Sequence, residues 1–256
     1  MNNPQTIGFI GVGALAEYTI KGIRHGGFAG RILLSPRNRE MSEQLAKDYK
    51  CEVMTNNQAV ADGCQQLILS TRPADCLDAL GALRLKSDHL LISVVAGVAL
   101  AKLREVVGGD IDIVRAMPVN CAPAGASPTL VYPHHAAVNT LFDYCGNSIN
   151  AEDEAAFDQG SILACVYTWY FELFQQIIEA TRGESLSNAL ATELVLGMAK
   201  GAASLALQDK EHSPGEIATA IATEGTFSKL GLDILKDNEA FEPWRLACEA
   251  LAKRMG

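Results

Sequence analysis

The stretch Thr6-Ile7-Gly8-Phe9-Ile10-Gly11-Val12-Gly13-Ala14-Leu15-Ala16 leaves the chain few folds to choose from. A short apolar run breaks into Gly-x-Gly-x-x-Ala and an amphipathic segment follows at once, which reads as a strand, a tight turn and the start of a helix. Gly11 makes the turn, Gly13 lets a pyrophosphate approach the backbone, and Ala16 lets the helix pack closely on the strand. A diphosphate held there lies against the unsatisfied N–H groups of the first helical turn, at Ala14 and Leu15, where the helix end favours negative charge. A glycine turn of this kind also occurs in αβ units that bind nothing, so the rest of the chain has to decide.

The segments that follow alternate. A helix over 15–24 is closed by Gly26-Gly27, a strand is expected over 31–35, and helix 40–49 leads to a short strand at 51–54 and a helix at 57–61. Strands are expected again at 66–70, 89–95 and 110–115, with a helix at 100–107 before the last of them. A loop of small residues over 119–127 precedes a strand at 129–132, a helix at 136–145 and an edge strand at 147–150. Strands alternating with short helices indicate an α/β protein with a largely parallel sheet covered on both faces.

From 152 onward no strand is expected, only amphipathic helices at about 161–181, 185–207, 214–222, 226–235 and 243–254. The boundary is therefore placed at 150–154, between a Rossmann-type dinucleotide-binding domain (1–150) and an all-helical domain (151–256). The 185–207 helix is apolar on most of its circumference, so it must be buried on several sides. A domain of about a hundred residues has little core for that, and a partner subunit is the natural cover. Tyr167, Trp169, Tyr170, Phe171 and Phe174 read as core by default, with an interface or a site wall as the other readings. No apolar run is expected to be long enough to span a bilayer.

Cofactor choice is read at the end of the second strand. NAD-binding folds place an acid there for the ribose 2′-hydroxyl; here stand Ser35-Pro36-Arg37-Asn38-Arg39. Arg37 and Arg39, with Ser35 and Asn38, offer charge-assisted donors to a 2′-phosphate, which favours NADPH over NADH unless the arginines only solvate a loop. Thr71-Arg72-Pro73, Ala96-Gly97-Val98 and Arg115-Ala116-Met117-Pro118 follow later strands, where such sheets bind ligands. In the helical half, Ser213 and Pro214 open a helix. Thr223-Glu224-Gly225-Thr226-Phe227-Ser228 is a hydroxyl-rich break: Thr226 either caps the next helix or joins Thr223 and Ser228 in holding a small carboxylate.

Composition narrows the partners. With 21 Lys and Arg against 30 Asp and Glu the formal charge is -9, which argues against nucleic acid or an anionic membrane as main partner. The seven cysteines include no Cys-x-x-Cys pair and are expected to be reduced and mostly buried, in a cytoplasmic protein. The N-terminal residues carry no signal-peptide pattern. The five histidines show no metal-ligand spacing, and His134-His135 beside Pro133 reads as an exposed turn.

These motifs together give a family resemblance over nearly the whole length. Gly8-Phe9-Ile10-Gly11-x-Gly13, Ser35-Pro36-Arg37-Asn38, Thr71-Arg72-Pro73, Ala96-Gly97-Val98, Arg115-Ala116-Met117-Pro118 and Glu211-His212-Ser213-Pro214-Gly215 resemble the motifs of pyrroline-5-carboxylate reductase. The resemblance implies an N-terminal dinucleotide domain and a C-terminal helical domain that intertwines with its twin in a homodimer, in some members within larger rings. It implies hydride transfer from NADPH to the imine carbon of 1-pyrroline-5-carboxylate, a small anionic cyclic imine, giving proline. Carried over by position, Ser228 places or protonates the imine nitrogen, Thr223, Gly225 and Thr226 hold the carboxylate, and Asn120 and Met117 line the nicotinamide floor. The chain departs from the family at Val119-Asn120-Cys121, at 161–166 and at Glu224 and Phe227. These departures leave a related reductase of another imine or carbonyl, or a non-catalytic nucleotide-binding regulator, as alternatives.

Overall fold

A computed structural model of the chain describes residues 5–255. It divides into two compact units, one running to Ala164 and the other Cys165–Arg254.

The first unit is an eight-stranded sheet in the order β3-β2-β1-β4-β5-β6-β7-β8. Its strands are β1 (Thr6–Ile10), β2 (Arg31–Leu34), β3 (Glu52–Val53), β4 (Gln66–Leu69), β5 (Leu90–Ser93), β6 (Asp112–Met117), β7 (Ser127–Tyr132) and β8 (Gly146–Asn150). Every neighbouring pair is parallel except β6 and β7. The order reverses between β1 and β4, the switch point at which open α/β sheets leave a crevice. Because alternate side chains point to opposite faces, Ile7 and Phe9 join Ile32, Leu34, Ile68 and Ile92 in one buried layer. Ile10, Leu33, Leu67, Leu69 and Leu91 belong to the other.

Helices cover both layers. α1 (Ala14–His25), α2 (Arg39–Tyr49) and α6 (Ala136–Asp143) lie on the first, and α3 (Asn57–Asp62), α4 (Pro73–Gly81) and α5 (Leu100–Val107) on the second. Helix α4 is absent from the sequence reading. Pro73 occupies its first turn, and Cys76 and Leu80 at helical spacing are its buried contacts. Helix α7 (Glu154–Ser161) is a second omission, capped by Asp153, whose carboxylate accepts the Ala156 N–H at 2.7 Å. It packs against β7, and for that reason the first compact unit runs on past the end of the sheet.

No disulfide joins the seven cysteines. Burial pushes the Cys64 and Cys145 thiols up to about 12 and the Cys51 thiol to about 11.

The helical unit is built from α8 (Leu163–Thr181, from Cys165 onward), α9 (Asn188–Gln208), α10 (Pro214–Ile221), α11 (Phe227–Asp237) and α12 (Glu242–Met255). Ser213 caps α10 in a reciprocal capping box with Glu216. Within α9 only Ala191 is buried, while Leu190, Leu194, Leu196, Met198, Leu205 and Leu207 are exposed. By length and composition α9 is apolar enough to cross a membrane, which corrects the expectation that no segment is; Glu193 and Lys200 interrupt it too sparsely to prevent this. The aromatic set is also not a closed core. Trp169 meets Trp244 edge-on at 5.9 Å between α8 and α12, whereas Tyr170 and Phe171 are exposed.

Candidate functional site

The cofactor residues expected from sequence gather at the carboxyl edge of the parallel sheet, on the loops after β1, β2, β4 and β5 and at the end of β6. Gly11 holds φ +89, and a Cβ there would lie 2.8 Å from the Ser70 carbonyl oxygen, so turn and close approach both require glycine. Gly13 is the N-cap of α1 and makes no side-chain cap; a Cβ on it would meet nothing within 4 Å. Gly13 therefore leaves room for a ligand beside the first turn of α1, at Ala14 and Leu15. An N-terminus left uncapped beside bare backbone fits a diphosphate.

Two polar side chains brace this turn. Ser35 is buried, and its hydroxyl accepts the Gly11 N–H at 2.9 Å; the Asn38 amide donates to the Val12 carbonyl at 2.8 Å. Ser35 thus faces the glycine turn and locks β2 to it. Arg37 and Arg39 are exposed, Arg37 donating to Asp75 at 3.3 Å and Arg39, the first residue of α2, to Glu43 at 2.7 Å. Both guanidiniums keep donors to spare for a phosphate. Thr71 is half-buried and Arg72 is the exposed N-cap of α4, with Pro73 next to it. Ala96 and Gly97 are exposed after β5, Gly97 at φ +71. Met117 is buried at the end of β6, and Asn120 is exposed just beyond it.

The sequence reading missed what holds the last two loops. Arg115, on β6, is 1% exposed and donates to Glu154 at 2.8 Å and to Asp158 at 2.7 Å, with the Phe157 ring 4.4 Å from its guanidinium carbon. The same Glu154 oxygen accepts the Leu100 N–H at 2.7 Å, capping α5, whose N-cap residue is Ala99 and has no capping side chain. One carboxylate on α7 therefore ties the strand leading to Met117 to the helix that follows Ala96-Gly97. A buried arginine in a strand needs acid partners, but spacing does not say where they lie.

The remaining candidates lie in the helical unit. Thr226 is the N-cap of α11: its hydroxyl accepts the Lys229 N–H at 3.1 Å and donates to the Thr223 carbonyl at 2.7 Å. Gly225 makes the turn before it at φ +79. The hydroxyl of Thr226 is thus engaged in both directions, and the open donors of the first turn are the N–H groups of Phe227 and Ser228. Thr223, Glu224 and Ser228 are exposed, and Phe227 is 93% exposed.

Fold and glycine cradle define the class, an N-terminal Rossmann-like sheet of the NAD(P)H-binding kind followed by an all-helical region. The comparisons narrow this class. Residues 6–97 match the family described as NADP oxidoreductase, coenzyme F420-dependent, and residues 154–256 match the pyrroline-5-carboxylate reductase dimerisation family. The chain is 28% identical to pyrroline-5-carboxylate reductase of Pseudomonas aeruginosa over 235 residues, covering 87% of this chain and 85% of that one. It superposes on the Plasmodium falciparum pyrroline carboxylate reductase, solved with NADP bound, with a TM-score of 0.86 at 21% identity, covering 99% and 97% of the two chains. The 1-pyrroline-5-carboxylate reductase of Streptococcus pyogenes gives a TM-score of 0.86 at 24% identity, over 99% of both chains. The match over residues 154–256 links the helical region to the reductase dimerisation family, and the likeness to the two solved structures shows the fold.

Proposed function

We propose that the protein reduces 1-pyrroline-5-carboxylate to proline with NADPH. The observation that carries the reading is the presence, in one chain, of an open diphosphate cradle beside two exposed arginines and of a helical region matching the reductase dimerisation family. When bound, NADPH supplies the hydride. The residues of this chain then have the work of holding, orienting and excluding water, since a protonated imine needs little acid–base machinery. The α1 N-terminus takes the diphosphate and Arg37 and Arg39 the 2′-phosphate, while Met117 and Asn120 line the nicotinamide floor. On α11 the Phe227 and Ser228 N–H groups receive the substrate carboxylate, and the Ser228 hydroxyl meets the imine nitrogen. The exposed apolar face of α9 is covered by a second copy of the chain. A cytoplasmic location goes with this reading.

A second reading, reduction of another small imine or carbonyl, is favoured by Glu224, in the loop before α11, and Phe227, the first residue of α11, both exposed where the substrate would be received. Steady-state oxidation of NADPH with 1-pyrroline-5-carboxylate, followed by a panel of cyclic imines, tests both. Turnover with the first substrate is expected. Activity confined to other imines would favour the second reading, and binding of NADPH with no turnover on any of them would make the protein a regulator.

A further inference from the structure

Helix α4 brings an acid beside an arginine of the segment in which the sequence shows none. In NAD-binding sheets the carboxylate that receives the ribose 2′-hydroxyl stands at the end of β2. Here residues 35–39 contain no acid, but Asp75, in the first turn of α4, lies 3.3 Å from the Arg37 guanidinium. Both side chains are open to solvent, Arg37 at 78% and Asp75 at 41%. An exposed pair with one long contact is weakly held, so either member is released readily to a better partner.

We propose that Arg37 and Asp75 form a two-way cofactor selector, which rests on the dinucleotide reading above. With NADPH, Arg37 leaves Asp75 for the 2′-phosphate, a dianion that takes two parallel N–H bonds where Asp75 takes one. With NADH, Arg37 stays on Asp75, and the carboxylate keeps an oxygen free to accept the 2′-hydroxyl. Asp75 thus works against NADPH twice, by holding Arg37 back and by its own charge beside the phosphate, and works for NADH. It lowers a selectivity that the two arginines would otherwise make steep, and the chain accepts both nucleotides with NADPH preferred.

The test is equilibrium titration of the full-length protein with NADPH and with NADH, by nucleotide fluorescence and by thermal shift, for the parent, Asp75→Asn and Arg37→Ala. Asp75→Asn should bind NADPH about threefold more tightly and NADH about threefold more weakly, moving the ratio by roughly tenfold. Arg37→Ala should weaken NADPH by about tenfold and leave NADH nearly unchanged. A parent that binds neither nucleotide would overturn the dinucleotide reading and this inference together. A parent that binds NADPH, with an Asp75→Asn ratio within about twofold of its own, would overturn the role of Asp75 alone. Asp75→Ser serves as a second variant; if neither folds, Asp75 is a structural residue and the selector is wrong.

Discussion

Thr226 and Ser228 stand two residues apart at the start of α11, yet their hydroxyls face different tasks. That of Thr226 is consumed by the cap and by the Thr223 carbonyl, whereas among the described residues no hydrogen bond within the fold occupies that of Ser228. Thr226→Ala should therefore lower stability by about 1–2 kcal/mol, the usual loss for a Thr cap. Ser228→Ala should leave the thermal midpoint in place and lower kcat/KM by about 1–3 kcal/mol, the worth of a hydrogen bond made at the reacting centre. Thermal unfolding and steady-state kinetics on the two variants would decide; an unchanged kcat/KM in Ser228→Ala removes that residue from the mechanism. Thr226 shows what a sequence can and cannot disclose at this scale. Its residue type permits a cap or a ligand, and only the position of the Lys229 N–H gives the cap.

At the scale of elements, the Arg115 cluster makes an asymmetric prediction. Glu154→Ala leaves a guanidinium buried with one partner fewer and uncaps α5, and should cost about 3 kcal/mol. Arg115→Met removes the buried charge and keeps the volume, leaving two carboxylates that are partly exposed and can hydrate, so its cost should be clearly smaller. Chemical denaturation monitored by circular dichroism measures both, and equal costs would mean the network is not organised around the arginine. The strands and the helices with long apolar periods were legible in the chain because period and burial agree there. Helix α4 was not: its buried contacts are few, although Pro73 at the first position and Asp75 in the first turn mark a helix start. Helix α7 carries a single large buried residue, Phe157, too little for a periodic signal. The carboxyl-edge loops were legible as motifs. The links from Ser35 to Gly11 and from Glu154 to Arg115 were not, since they join residues far apart in sequence.

For the whole molecule, the prediction concerns assembly. The helical unit exposes leucines along α9 and Phe227, Leu230 and Ile234 on α11, and large exposed apolar patches mark interaction surfaces. Light scattering at micromolar concentration should give a dimer or a multiple of it, and a particle of 27.4 kDa would refute this.

If a second copy covers α9, dilution acts on this protein as urea acts on a monomer. The free energy that holds the helical unit in shape then includes a term in the logarithm of protein concentration, and the melting temperature should climb as more chain is added. A newly made chain would pass through an interval in which a helix as greasy as a membrane span has nothing to lie against, and how long that interval lasts would depend on how soon it meets its twin.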